Sequence, residues 1–130
     1  MTTASKHASN PTSILIVEDD DEIRDLLAEM LAEAGFTVAT ARNGREGLDR
    51  LRSGPHPDVV LLDLMMPVMD GWQLRAEMLG DPALAKIPVI IVSGAADMQD
   101  DGSSLAASRI LTKPVKWPVL LESIRAHASA

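Results

Sequence analysis

Apolar and polar positions along the chain fall into two alternating patterns. Runs of branched apolar residues occur at Ser13–Val17, 59–62, 87–92 and Arg109–Thr112, with a weaker run at 36–40. Short continuous runs bounded by turn residues predict strands of a parallel sheet covered on both faces. Pro88 falls at the start of its run, where a strand tolerates proline. Between the first two runs, Ile23, Leu26, Leu27, Met30, Leu31 and Ala34 recur at helical spacing, and Gly35 supplies the stop. Leu48 and Leu51 mark a weaker helix over 43–52, closed by Gly54-Pro55, and a further helix is predicted over 72–79. The segment 95–108 makes the poorest helix. Gly102, Ser103 and Ser104 interrupt it and leave only Met98 and Leu105 as apolar anchors, so a short or mobile element is expected. Pro118 opens a last helix carrying Val119, Leu120, Leu121 and Ile124.

Five strand–helix units with right-handed crossovers predict an α/β fold, a three-layer α/β/α sandwich around a five-stranded parallel sheet. A length of 130 residues suits one domain. Its expected extent is 12–130, with no output domain, behind a flexible polar tail at 1–11 that lacks the apolar core of a secretory signal.

Composition narrows the possible functions. Hydrophobic residues make up 46% but never form a run long enough to span a membrane. The chain has no cysteine, which excludes disulfides, thiolate metal sites and cysteine nucleophiles and suits the cytoplasm. A formal charge of -7 without a basic cluster opposes direct nucleic-acid binding.

The residues that close the strands carry the chemistry. Glu18 and Asp19 follow the first strand, Asp63 the third, Ser93 the fourth and Lys113 the fifth. In an open parallel sheet all of them share the edge where ligands bind. Three carboxylates crowded there repel one another unless a cation neutralises them or some stay protonated. Oxygen donors with open remaining positions favour magnesium, or manganese, over a closed calcium cage. Lys113 and Ser93 add a point charge and a hydroxyl suited to phosphoryl oxygens, and Asp63, which stands apart from the adjacent acidic pair, is the better acceptor. Taken singly, an acidic run caps a helix, a lysine is a surface charge and a serine forms a turn. Together they point to phosphoryl transfer.

Four stretches carry a specific resemblance: Ile14 to Asp20, Asp58 to Gly71, Pro88 to Gly94, and Lys113-Pro114. They resemble the response-regulator receiver (CheY-like) family of two-component signalling, in the family's order and over nearly the whole chain. The resemblance implies a flavodoxin-like (βα)5 sheet of order 2-1-3-4-5 with its site between the first and third strands. It implies Asp63 as phosphoacceptor, Glu18 and Asp19 as magnesium ligands with the Met65 main-chain carbonyl, and Ser93 and Lys113 as switch hydroxyl and phosphate-binding lysine. The switch region would comprise Ser93, Gly94, Ile110, Lys113 and Pro114, with a cis peptide before Pro114. Implied partners are a sensor histidine kinase or histidine phosphotransfer protein and a downstream protein target. The implied role is a stand-alone signalling domain, not an enzyme, that assists its own phosphorylation and dephosphorylation and exists as a monomer or weak dimer.

The departures from the family lie on one face. Ile110 replaces the usual aromatic switch residue, Val115 replaces the aromatic after Lys-Pro, and the Gly/Ser-interrupted segment between Ser93 and Lys113 is a little shorter than the family's. Activation is therefore expected to reshape that segment rather than turn a ring. Val115 and Trp117 are read as exposed there, and Met65, Met66 and Met69 as packing residues rather than metal ligands. Other functions fit less well. An Asp-based phosphatase needs a second acid soon after its nucleophile, where Leu64 and Met65 stand, and a flavin module needs a phosphate loop where Glu18 to Asp21 would repel a phosphate. A degenerate receiver that binds a partner without phosphorylation is opposed by the intact Asp19, Asp63 and Lys113.

Overall fold

Branched residues at alternate positions of each strand let one ribbon feed two hydrophobic layers, and the strands are buried accordingly. The computed structural model describes residues 11–98 and 101–129. The tail expected at 1–11 therefore lies, apart from Pro11, outside the described residues. Strands β1 (Ser13–Val17), β2 (Thr37–Ala41), β3 (Val59–Leu62), β4 (Val89–Ser93) and β5 (Arg109–Thr112) form one parallel sheet of order β2-β1-β3-β4-β5. Ile14 pairs with Val59 and Val17 with Leu62, so β1 and β3 occupy the middle and end level with each other.

Leu15, Val17, Val60, Leu62, Val89 and Ile91 point into the layer under α2 (Gly44–Ser53) and α3 (Gly71–Leu79), where they meet Leu48, Leu51, Leu74 and Met78. Their neighbours Ile14, Ile16, Val59, Leu61 and Ile90 point the other way. That layer is closed by Leu31 of α1 (Asp21–Glu33) and by Leu120 and Ile124 of α5 (Trp117–His127). A short helix not read from the sequence, α4 (Pro82–Ala85), is capped by Asp81 and adds Leu84 to the first layer.

The structure qualifies the sequence pattern at three places. Ile23 and Leu26, which share the helical period of α1, are 40% and 58% exposed, and Ile23 lines an open cavity rather than the packed core. Val115 and Trp117, expected on the surface, are partly buried against the α1/α5 layer. The segment 95–108 holds two 3-10 turns, Ala95–Asp97 and Ser103–Leu105, and its described residues form no α-helix. The short element expected there is what the structure shows. Leu105 is buried and Met98 packs against the same core, so the two apolar anchors hold.

Arg75 of α3 clasps the same segment. Its Nε donates to the Leu105 carbonyl at 2.6 Å and its Nη2 to the Ala106 carbonyl at 3.0 Å. The Nη1 atom is buried without a partner, and burial holds the guanidinium below its ordinary pKa. Gly102 explains the break in the helical pattern: at φ +88° its Cβ would stand 2.5 Å from Ile110 Cδ1 and 3.0 Å from Met98 Cε. Ile110, the departure from the family aromatic, thus lies over a glycine that makes room for it. Gly102→Ala is expected to cost about 2 kcal/mol, from left-handed strain and displacement of Ile110, read as a lower urea midpoint at unchanged slope.

The amino edge of the sheet is tied by Asp58, which is 1% exposed. Its Oδ2 accepts the Ser13 amide at 2.9 Å, and its carbonyl accepts the Ser129 amide at 2.9 Å. The ends of the described chain are thereby joined at the edge opposite the ends of the strands.

Candidate functional site

The acidic run Glu18 to Asp21 divides its work. Asp20 is the N-cap of α1, its carboxylate accepting the Ile23 amide at 3.0 Å, and Asp21 stands in the first turn of α1, where the helix dipole favours negative charge. Glu18 and Asp19 are left for the site. Glu18 N donates to Ala41 O at 3.0 Å and Asp63 N to Val17 O at 3.1 Å, so the sheet ladder itself sets the two carboxylates side by side. The loop after Asp63 is folded back tightly. Gly71 N donates to Leu64 O at 2.8 Å, and Asp70 caps α3 with a reciprocal bond to Gln73. Met65 N donates to Asp63 Oδ1 at 3.4 Å, which places the Met65 backbone beside the carboxylate. Its side chain is 52% exposed, whereas Met66 and Met69 pack against the core, so the packing reading holds for those two only.

Oxygens of Glu18, Asp19 and Asp63 all lie within 4.8 Å of one another, the one such acidic group of three among the described residues. Glu18 is 5% exposed and Asp63 6%. Lys113 Nζ stands 3.5 Å from Glu18 Oε1 and 3.5 Å from Asp63 Oδ2. One ammonium cannot balance three carboxylates. Burial, with the Asp63 charge adding to it, pushes the Glu18 carboxyl up to about 7, against a hydrogen bond from the Asp20 amide that works in the opposite direction. Burial disfavours the Lys113 ammonium, but Asp63 and Glu18 together outweigh it and hold its pKa above the ordinary lysine value.

The donor set is all oxygen, crowded and short of positive charge, which fits a hard divalent cation such as magnesium. Glu18 gives this fit a pH signature. Its folded value of about 7 lies above the ordinary 4.5, so the metal-free fold loses stability as pH rises from 4.5 through 7. A cation held by Glu18 would need that proton to leave. Magnesium affinity is therefore expected to fall about tenfold between pH 8 and pH 6, and titrations of Glu18→Gln should show a much flatter dependence.

Ser93 closes β4 at 2% exposure, and its carbonyl accepts the Lys113 amide at 2.9 Å, which ties the ends of β4 and β5 together. The Lys113-Pro114 peptide is cis, as expected. Asp97 escaped the sequence reading. Its Oδ2 accepts the Ser93 hydroxyl at 3.2 Å and the Gly94 amide at 3.1 Å. Beside the cluster lies an open cavity of about 500 Å³, lined by Ile23 and Leu27 of α1, Val92 and Leu120, and by Glu18, Asp63 and Lys113 of the site itself.

Fold and site together define a doubly wound α/β domain with an acidic cation site where the strand order reverses, between β1 and β3. Residues 14–125 match the family described as "Response regulator receiver domain", and the chain belongs to that family. It is 37% identical over 120 residues to the transcriptional regulatory protein CseB of Streptomyces coelicolor, covering 91% of this chain and 50% of CseB. The chain thus spans about half the length of that relative. It is 39% identical over 116 residues to protein PilH of Pseudomonas aeruginosa, covering 87% of this chain and 94% of PilH. Among solved structures, the response regulator TrrA of Thermotoga maritima, in complex with Mg(2+)-BeF, superposes with a TM-score of 0.78 at 32% identity, covering 88% of this chain and 97% of TrrA. The chain is therefore a signalling domain of two-component systems with a CheY-like, flavodoxin-like fold. Among the described residues no helix is long and apolar enough to cross a membrane.

Proposed function

We propose that this domain accepts a phosphoryl group on Asp63 from the phosphohistidine of a sensor kinase or phosphotransfer protein, in a magnesium-dependent transfer, and signals by protein contact or onward relay. The observation that carries the reading is the bridging of Asp63 and Glu18 by Lys113 within a carboxylate trio too acidic to stand alone. An Asp63 carboxylate oxygen forms the new bond to phosphorus as the phosphohistidine N–P bond breaks and its electron pair returns to the imidazole. Lys113 pairs with one phosphoryl oxygen, and Ser93 offers its hydroxyl to another. Glu18, Asp19, Asp63 and the Met65 carbonyl would hold magnesium or manganese, which when bound neutralises phosphoryl charge. Attack by water on the aspartyl phosphate resets the domain.

The donor has to dock beside Asp63. Exposed Ile23 and Leu26 on the N-terminal half of α1 supply an apolar surface there. A donor charged from ATP works in the cytoplasm, and the proposal places the domain there. The output rests on the segment 95–108, reshaped through Ser93, with Gly94, Ile110 and Pro114 in the switch region. The outcome is contact with a downstream protein rather than with nucleic acid, and at most weak dimerisation.

The test is intact-mass analysis after incubation with acetyl phosphate and magnesium. One acid-labile phosphoryl group should be gained by the wild type and by neither Asp63→Asn nor a chelator-treated sample. Labelling that persists in Asp63→Asn, or a wild type inert to both acetyl phosphate and a phosphohistidine donor, would overturn the reading.

A further inference from the structure

The Ser93 hydroxyl has a partner already. It donates to Asp97 Oδ2 at 3.2 Å, inside a turn closed by the Gly94 amide on the same oxygen at 3.1 Å and by the Asp97 amide on Gly94 O at 3.0 Å. A Cβ at Gly94 would stand 3.1 Å from Asp97 Oδ2, so the carboxylate lies directly over the switch residues. Asp97 is in turn tethered to α3: Trp72 Nε1 donates to the Asp97 carbonyl at 3.3 Å. Trp72 itself follows Gly71, which is bonded back to Leu64 next to Asp63. A closed path therefore runs from Ser93 through Asp97 and Trp72 to the Asp63 loop.

We infer that Asp97 is a positioning residue that holds the Ser93 hydroxyl in the unphosphorylated domain, so that phosphoryl binding must break this bond and thereby loosens Asp97 from Trp72. The inference rests on the reading of Asp63 as phosphoacceptor and Ser93 as its switch hydroxyl. A hydroxyl proton can serve one strong acceptor at a time. The charged carboxylate is such an acceptor, and an arriving phosphoryl group is another, so the two compete. The resting bond is a toll on activation, and the α3 face that carries Trp72 feels its loss. Asp97 thus couples the site to the segment where this chain departs from its family, without an aromatic switch at Ile110.

The experiment measures binding of beryllofluoride with magnesium, a phosphoryl mimic, followed by Trp72 emission in a Trp117→Phe background, since the chain has two tryptophans. Removing a competing hydrogen bond to a charged group is worth about a tenfold gain, so Asp97→Ala should bind beryllofluoride about ten times more tightly than the parent. Asp97→Asn keeps a carbonyl oxygen for Ser93 and should stay within about threefold. The gain of Asp97→Ala should vanish in a Ser93→Ala background, because a double-mutant cycle isolates the pair from a general effect on the turn. Parent emission should change on binding, and Asp97→Ala should show most of that change before beryllofluoride is added. Equal or weaker binding by Asp97→Ala, or the same gain with and without Ser93, overturns the inference. Failure of the parent itself to bind, or binding retained in Asp63→Asn, strikes at the phosphoacceptor reading, and the two failures are distinguishable.

Discussion

Replacing Lys113 by alanine is expected to slow phosphoryl acceptance from acetyl phosphate about a hundredfold, and at the same time to tighten magnesium binding. Both effects follow from one position, the ammonium 3.5 Å from Glu18 Oε1 and 3.5 Å from Asp63 Oδ2. In the proposed transfer it would meet charge that grows on the phosphoryl oxygens, in a site where nearly buried carboxylates leave little solvent to do so. In the resting protein it would compete with the proposed divalent cation for the same two oxygens. Without it, Glu18 and Asp63 repel each other unscreened, and the metal-free protein should lose about 1–2 kcal/mol at pH 8, a figure reduced for the partial exposure of Lys113. Magnesium should restore most of that loss. Lys113→Arg should recover little of the rate, because a planar fork replaces a compact charge between two differently oriented carboxylates. Labelling time courses and thermal melts with and without magnesium test the pair of effects. A wild-type rate in Lys113→Ala would show that the ammonium is a bystander in the transfer, and weaker magnesium binding would show that it does not compete with the metal.

Gly71→Ala should be the most damaging single substitution at the site that touches no charged group. A Cβ at Gly71 would collide with the Asp63 carbonyl oxygen and stand 2.7 Å from Leu64 Cα, and backbone cannot swing aside as a side chain can. The loop must open, which breaks the bond from Gly71 N to Leu64 O and moves Asp63. The expected cost is about 3 kcal/mol, at the upper end for overpacking, together with a severe loss of phosphoryl labelling. Gly35→Ala is the contrast. Gly35 has φ +100° but nothing within 4 Å of its missing Cβ, so only about 1 kcal/mol of strain is expected, with labelling intact. Calorimetry and mass labelling on both variants separate a crowded site from a strained helix end.

The sheet was legible in the sequence because parallel strands buried on both faces write themselves as unbroken branched runs. Val59 to Leu62 are all nearly inaccessible, and the carboxylate after them lands where strand order dictates. The acidic trio and Lys113 were legible for the same reason, each fixed by the end of a strand. What sequence pattern could not supply was side-chain direction in irregular backbone. Arg75 lies on a helix that looks like any surface helix, yet it turns inward to the carbonyls of Leu105 and Ala106, at the end of a 3-10 turn that the sequence pattern does not place. Asp97 reads as one more acid in a polar stretch, and only the turn that follows β4 aims it at Ser93. Ile23 and Leu26 obey the helical period, but periodicity does not say which turns of a helix are covered.

The Asp58 staple has a practical consequence. Ser13 and Ser129 are both bonded to Asp58, so the two ends of the described chain leave the domain together, on the edge away from Asp63. A fluorophore or a surface linker attached at position 13 or 129 would sit at the rear, leaving the acidic edge open to solution. The domain is thus built to be mounted: immobilised on a sensor chip through that edge, it would present the same face to every phosphodonor passed over it.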